Sequence, residues 1–324
     1  MKKIFQIKKQ RSFSAVIEDS FRFFRINAKN IIKIVWEQNR IVLTALVITY
    51  FLYVYFYFGQ LNDAFTFIKG NTITSKTEAS PNFILVAVIL FILTLIFAPR
   101  FFAAVAGYFS AYDEQTGQVD VAKIQELVRK KFWGLIGLTL VIFILALLIF
   151  LFTSLILGGI MVGLGGTIGA ILFVFIYIFM IIVGVLYFGL SYYVYFYEDI
   201  GFAEAIFKTR AYLKDKFWYS FGIFILMGLI IWLISLVINA PVTLYALLKS
   251  LWMAKDSEIA KYAGQGDLIV AIISIISFIG QMILRILMII SMALLYFSLR
   301  EHKTGESLLG KINQIGSKED VENF

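Results

Sequence analysis

The chain has 324 residues, of which 60% are hydrophobic and 15% are charged, and its mean hydropathy is +0.87. Soluble domains are about 45–50% apolar by a similar count, so this composition predicts an integral membrane protein. The absence of cysteine excludes disulfides and thiolate sites, and the single histidine, His302, excludes a multi-histidine metal site. The net charge of +8 does not indicate nucleic acid here, because in a membrane protein its placement matters more than its sum.

Residues 1–40 form a basic segment that contains ten lysines and arginines. The segment has no short apolar core followed by a small-residue cleavage site, so we do not expect a cleaved signal peptide. We predict a cytoplasmic, interfacial helix here, and the apolar run that begins at Ile41 would be an uncleaved anchor.

Long apolar runs predict six transmembrane helices. In chain order they cover about 41–58, 83–112, 132–157, 168–193, 217–238 and 268–295. The glycine-rich stretch Leu157 to Gly169 lacks the strand–helix context and the Lys-Ser/Thr of a phosphate-binding loop. We expect it to form a tight outer hairpin in which Gly159 and Gly163 allow close helix packing.

The basic residues are distributed unevenly between the two sides of the predicted membrane. The N-terminal segment, the links 113–131 and 198–216 and the C-terminal tail hold 22 lysines and arginines, whereas 59–82, 158–167 and 243–267 hold five. Basic residues are retained on the cytoplasmic side, so both termini are predicted to be cytoplasmic.

A shift of 85 residues aligns two short motifs. Tyr112-Asp113-Glu114 matches Tyr197-Glu198-Asp199, and Lys131-Phe132-Trp133 matches Lys216-Phe217-Trp218. The stretch 304–312 also echoes 116–124. We therefore predict an all-α protein with three hairpin repeats, each preceded by a cytoplasmic amphipathic interfacial helix. The predicted divisions are 41–112, 113–197 and 198–300, with a cytoplasmic tail at 301–324.

The link after the fourth span, Phe202 to Lys216, has helical periodicity. Phe202, Ile206, Phe207 and Leu213 are predicted to share its apolar side, with the cations elsewhere. Such a helix could lie in the membrane interface or could pack beneath the spans as a strut, and both interpretations stay open. The candidate residues for docking a partner or lipid headgroups are Lys208, Arg210 and Lys214.

Two arginines fall inside predicted spans. Arg100 lies 12 residues before Tyr112 and Arg285 lies 11 before Tyr296, which places both about 17 Å inside the membrane. No carboxylate falls within the predicted spans to neutralise them. They could bind an anionic ligand or lipid headgroup together with Gln281, or be satisfied by snorkelling or by carbonyls near Pro99.

The paired carboxylates near the predicted membrane surface are Asp113, Glu114, Glu198 and Asp199. A membrane enzyme would need a base, a nucleophile or a metal at that level. We expect these four residues to act as caps and loop solubilisers instead, so no catalytic residue, metal or cofactor is predicted.

The segments 201–226 and 296–316 resemble a loosely defined group of uncharacterised bacterial six-span inner-membrane proteins, similar in pattern to the membrane domain of some glycerophosphodiester phosphodiesterases. The resemblance rests on Glu198, Gly201, Phe202, Glu204, Ala205, Phe217 and Trp218. It implies a membrane module of the bacterial inner membrane and not the hydrolase activity, because the phosphodiesterase domain is missing.

The favoured function is a non-enzymatic accessory or scaffold subunit of a larger membrane complex or envelope-maintenance system. The alternative is a transporter or flippase that handles an anionic lipid or solute through Arg100 and Arg285, and a lipid-modifying enzyme is the third hypothesis. The expected partners are the lipid bilayer, an anionic lipid and other membrane proteins, and no nucleic acid.

Overall fold

The computed structural model describes residues 5–68, 81–163, 166–255 and 264–305. These ranges contain seven helices and no strand, which confirms the predicted all-α class. The helices are α1 (Phe13–Ile68), α2 (Pro81–Ala111), α3 (Val121–Gly163), α4 (Gly166–Glu198), α5 (Phe202–Leu213), α6 (Phe217–Lys255) and α7 (Gly264–Thr304).

Every helix except α5 is long and apolar enough to cross a membrane. These six helices contain the six predicted spans, so a multi-pass membrane protein is confirmed. Large apolar side chains in their outer parts are exposed, for example Phe152 at 68%, Phe175 at 69% and Val237 at 74%. Such exposure would be costly in water but is expected where a helix faces lipid.

The segments predicted as interfacial helices differ in how they connect to the spans. Residues 13–40 continue into the first span within α1, and 121–131 continue into the third within α3. The start of α3 is fixed by Asp120, whose Oδ1 accepts the N–H groups of Ala122 and Lys123. Within the described residues a separate helix forms only as α5, because the turn at 214–216 interrupts the chain before α6.

Some repeated motifs adopt similar local geometry. Phe132 and Trp133 meet edge-on with ring centroids 5.2 Å apart, and Phe217 and Trp218 do so at 5.3 Å. Both tryptophans are exposed, at 76% and 72%, as the aromatic belt predicts. Gly117 and Gly305, which align in the 116–124 echo, both have left-handed φ angles of about +60°. These features favour the triplication, which stays a prediction, and the echo beyond Gly305 lies outside the described residues.

The described residues fall into two compact units that are discontinuous in sequence. The first comprises Met1–Ile31, Phe102–Gly228 and Leu287–Phe324, and the second comprises Ile32–Phe101 and Leu229–Ile286. The units therefore follow tertiary contacts and not the predicted repeat boundaries. The fully buried side chains of the first unit include Ile124, Leu135, Leu138, Leu186, Leu190, Ile223, Met227 and Ile290. In the second, Val54, Val270 and Ala271 form a small core that is packed by Tyr50, Phe51 and Tyr53.

The glycine-rich stretch is helical over most of its length. The helix α3 extends to Gly163 and α4 begins at Gly166, while residues 164 and 165 lie outside the described residues. The predicted tight packing of its glycines concerns side-chain surroundings that are likewise not described.

The predicted orientation can be tested because the natural chain has no cysteine. We expect Ser75→Cys, in the predicted outer connection, to react in intact cells with a membrane-impermeant maleimide. Ser317→Cys, in the predicted cytoplasmic tail, should react only after the cells are permeabilised. Labelling is measured by the mass shift of the purified protein, with the cysteine-free chain as the control. Reversed labelling would overturn the orientation.

Candidate functional site

The polar groups of the first unit concentrate where α2, α4 and α7 end and where α3 and α6 begin. We call this region the polar end, and the positive-inside rule predicts that it faces the cytoplasm. Most of the bonds that shape it come from two charged side chains, Arg11 and Glu198.

Arg11 lies just before α1 and its side chain is completely buried. Its Nε donates to Asp19 Oδ2 at 2.9 Å, while its Nη1 and Nη2 donate to the carbonyls of Ile7 and Gln6 at 2.7 and 2.5 Å. Burial lowers the pKa of the guanidinium, and the hydrogen bond to Asp19 opposes that shift. The segment 5–11 is thereby folded around a buried cation.

The backbone of Arg11 links this segment to two distant helices. Its N–H donates to Ser298 Oγ of α7 at 3.0 Å, and its carbonyl accepts the hydroxyl of Tyr219 of α6 at 2.7 Å. The side chain and backbone of Arg11 therefore connect the N-terminal segment with α1, α6 and α7 through hydrogen bonds.

Glu198 plays the corresponding role at the end of α4. Its side chain is only 7% exposed, its Oε1 accepts the hydroxyls of Tyr212 and Tyr296 at 2.7 Å each, and Lys208 Nζ lies 2.7 Å from Oε2. The expectation that Glu198 is a cap or loop solubiliser is therefore wrong. The carboxylate is a buried acceptor that joins α4, α5 and α7, and its burial is tolerated because donors surround it.

The other three paired carboxylates have structural bonds at the chain turns. Asp113 accepts the N–H of Gln115 and the hydroxyl of Thr116, and Glu114 Oε1 accepts two backbone N–H groups from residues 7 and 8. These contacts fit the expected capping role for Asp113 and add a tertiary role for Glu114.

Asp199 fixes the sharp turn between α4 and α5. It has a left-handed φ of 54°, which short polar side chains tolerate better than most residues. Its Oδ1 accepts Lys131 Nζ at 2.7 Å, and this hydrogen bond holds the pKa of the exposed carboxyl below its ordinary value of 3.8. The stability that this bond adds to the folded state is therefore present above pH 3.8 and is lost as the pH falls through the lowered pKa of Asp199.

The helix α5 has a buried face and an exposed face that differ from the predicted ones. Ala205, Thr209, Tyr212 and Leu213 are buried, whereas Phe207 is 76% and Phe202 43% exposed. Leu213 is therefore buried whereas the two phenylalanines are exposed, and the bond from Tyr212 to Glu198 of α4 fixes the buried face. The prediction that these residues share one apolar side, in the membrane interface or beneath the spans, stays a prediction.

The three predicted docking cations have different surroundings. Lys208 is engaged by Glu198, whereas Arg210 and Lys214 are exposed. Ala203, Phe207, Arg210 and Lys214 follow a spacing of four, three and four residues, which places them along one exposed line of the helix. We call this line the α5 stripe.

The three predicted anion-binding residues lie in the second unit. Arg100 Nη2 donates to the carbonyl of Gln38 in α1 at 2.8 Å, and Gln281 Nε2 donates to Ser235 Oγ of α6 at 2.6 Å. Arg285 is exposed on α7 between the buried Leu284 and Ile286. Arg100 and Gln281 thus make helix–helix contacts, whereas Arg285 points outward from its helix.

The described residues contain no group of three or more histidine, cysteine or acidic side chains with metal-site geometry. Neither a protein-family model, nor a curated protein, nor a solved structure matches this chain. The resemblance to the six-span inner-membrane group therefore stays a prediction.

The central residues Arg11, Asp19 and Tyr296 were not among the predicted site residues. Arg11 is one of ten cations in a basic segment, and the partners of its backbone, Ser298 and Tyr219, lie 287 and 208 positions away, so the sequence pattern does not single it out. Tyr296 had a signal, since Tyr112, Tyr197 and Tyr296 mark the ends of successive hairpins.

Substituting Glu198 tests whether its hydrogen bonds hold α5 in place. We expect Glu198→Gln to lower the free energy of unfolding by about 1.5–3 kcal/mol, because an amide is a weaker acceptor and loses the charge that pairs with Lys208. The measurement is thermal unfolding of the purified protein in detergent. Glu204→Gln, which neutralises an exposed carboxylate of the same helix, should leave the midpoint unchanged. Equal midpoints for the two variants would contradict the role of Glu198.

Proposed function

We propose that the protein is a non-enzymatic, multi-pass protein of the bacterial inner membrane that serves as an accessory or scaffold subunit of a larger membrane complex or envelope-maintenance system. The partner would be another membrane protein, docked at the α5 stripe. The observation that carries this proposal is the 76% exposure of Phe207 beside Arg210 and Lys214. These residues lie on a helix that hydrogen bonds and an ion pair attach to α4.

The fixation of α5 supports a docking role. The Lys208 and Tyr212 side chains of α5 are tied to Glu198, and the hydroxyl of Tyr187 in α4 donates to the carbonyl of Ile206 at 2.6 Å. A pre-organised helix loses little conformational entropy when it binds, so more of the contact energy contributes to affinity.

The chemistry of the α5 stripe indicates the kind of segment it would bind. An exposed aromatic side chain followed by two cations is complementary to a partner segment that has an apolar pocket and acidic residues. Aromatic residues and arginine are enriched at the centres of protein interfaces, where a few residues carry most of the binding energy.

The decisive experiment is purification of the protein in mild detergent, followed by mass spectrometry of every bound protein and lipid. We expect a stoichiometric protein partner that Phe207→Ala and the double variant Arg210→Glu, Lys214→Glu release, because they remove the anchor and reverse the charge. Lys208 is left unchanged, since a glutamate there would lie against Glu198 and disturb the fold.

The matched control is the double variant Lys123→Glu, Arg129→Glu, which reverses two exposed cations at the start of α3. It should retain the partner, and all variants should unfold at the wild-type temperature. Retention of a stoichiometric partner by the α5 variants, or purification without any protein partner, would contradict the proposal.

The exposure of Arg285 favours a second candidate function, the handling of an anionic lipid or solute in the membrane. The residue is predicted to lie about 17 Å from the polar end of its span, where a charge is costly unless it meets an anion, water or the interface. Arg100 is better explained as a contact between α2 and α1. Of the two predicted arginines, Arg285 therefore remains as the candidate ligand-binding residue.

Arg285→Ala distinguishes this candidate from the accessory role. We expect the variant to lose an anionic phospholipid that co-purifies with the wild type, as measured by lipid mass spectrometry. Gln281→Ala, which removes a polar contact one turn earlier, should retain the lipid. The same anionic lipid content in the wild type and in Arg285→Ala would exclude this role for Arg285.

A further inference from the structure

The polar end of the first unit contains a cavity of about 400 Å³. Small-molecule sites in proteins have volumes of about 300–1,000 Å³, so the cavity is large enough for a compact organic ligand. It is lined by Ile7 and Lys8 from the N-terminal segment, 109–114 in part from the end of α2, Tyr197 from α4, and Phe297 and Arg300 from α7.

The walls of the cavity are held by bonds that do not depend on a ligand. Tyr112 Oη accepts the N–H of Phe5 at 3.3 Å, and Glu114 Oε1 accepts those of Ile7 and Lys8 at 3.1 and 3.2 Å. These three bonds attach the N-terminal segment to the end of α2. Lys8 is thereby positioned at the cavity by its own backbone.

The floor is aromatic and rigid. Tyr197 packs against Phe297 with ring centroids 4.8 Å apart, and Phe109 packs against Phe297 at 6.2 Å. The hydroxyl of Tyr197 donates to the carbonyl of Ala106 at 2.8 Å, which fixes the ring further. A packed floor of this kind keeps the cavity open in the absence of a ligand.

The charges that line the cavity favour an anion. Lys8 and Arg300 supply two cations, whereas Glu114 supplies one carboxylate, of which one oxygen is already occupied by two backbone donors. The hydroxyl group of Ser110 adds a further donor. Guanidinium and ammonium groups together form charge-assisted hydrogen bonds that match the oxygens of a phosphate.

We propose that this cavity binds the phosphate monoester group of a small ligand, with Lys8 and Arg300 as the charged contacts and Ser110 as a hydrogen-bond donor. The ligand could be a soluble metabolite or a lipid headgroup, because the cavity lies at helix ends. The site shares no residue with the α5 stripe, so the test of ligand binding is independent of the test of the accessory role.

The test uses the purified full-length protein in detergent and isothermal titration calorimetry. One arm titrates glucose 6-phosphate, with glucose as its phosphate-free control. The other arm titrates dioctanoyl phosphatidic acid, with dioctanoyl phosphatidylcholine as a control that lacks the monoester. Binding of glucose 6-phosphate assigns a soluble ligand, and binding of phosphatidic acid alone assigns a lipid headgroup.

We expect Lys8→Gln and Arg300→Gln each to weaken binding of the effective probe by about tenfold or more, since each removes one charge-assisted bond. The matched control is Lys9→Gln, the neighbouring lysine, whose Nζ lies 3.0 Å from Asp19 and which does not line the cavity. It should bind the probe as the wild type does.

Lys8 is exposed, so Lys8→Gln is expected to keep the fold, and its unfolding temperature provides the check. The proposal is overturned if neither phosphate probe binds at millimolar concentration. It is equally overturned if Lys8→Gln and Lys9→Gln bind the effective probe with the same affinity.

Discussion

The burial of the Arg11 guanidinium is the constraint on which the polar end of the first unit depends. A cation taken out of water is tolerated only where its donors are filled, and Arg11 meets Asp19 and two backbone carbonyls. The segment that supplies those carbonyls must fold back around the side chain, and that folding brings Lys8 and Ile7 to the end of α2. One buried charge thus determines the path of a chain segment that has little regular structure of its own.

Glu198 shows the same principle with the opposite sign. Its Oε1 accepts two tyrosine hydroxyls and its Oε2 forms an ion pair with the ammonium group of Lys208, so a buried carboxylate joins α4, α5 and α7. Both charges organise the region from inside, whereas Arg210, Lys214 and Lys8 are exposed and Arg300 lines the cavity. The interior charges are structural, and the proposed functions rest on the outer ones.

The long-range architecture was predictable because lipid imposes a simple rule on sequence. Six long apolar runs gave six long helices, and the repeated Lys-Phe-Trp motif gave two exposed tryptophans with matching ring geometry. These features depend on local composition and on the distance to the membrane edge. Local composition and the distance to the membrane edge can both be inferred from the sequence alone.

The details of the polar end were not predictable for the converse reason. Arg11 and Lys8 look alike among ten basic residues, and only the bonds of the Arg11 guanidinium to Asp19 and to two backbone carbonyls distinguish the buried cation from the exposed one. The orientation of α5 likewise depends on the bonds of Tyr212 and Lys208 to Glu198, which the helical periodicity of the segment does not reveal. Where water and protein compete for polar side chains, tertiary partners decide the outcome.

The bond between Arg11 and Ser298 also has a consequence for biosynthesis. Its two residues are 287 positions apart, and at about 5–20 residues per second the ribosome takes about 15–60 s to make the intervening chain. During that interval the N-terminal segment cannot reach its final partner in α7. The first part of the protein to be synthesised is therefore among the last to acquire its native contacts, and a chain that stops before α7 leaves this segment unfinished and open to recognition by proteases.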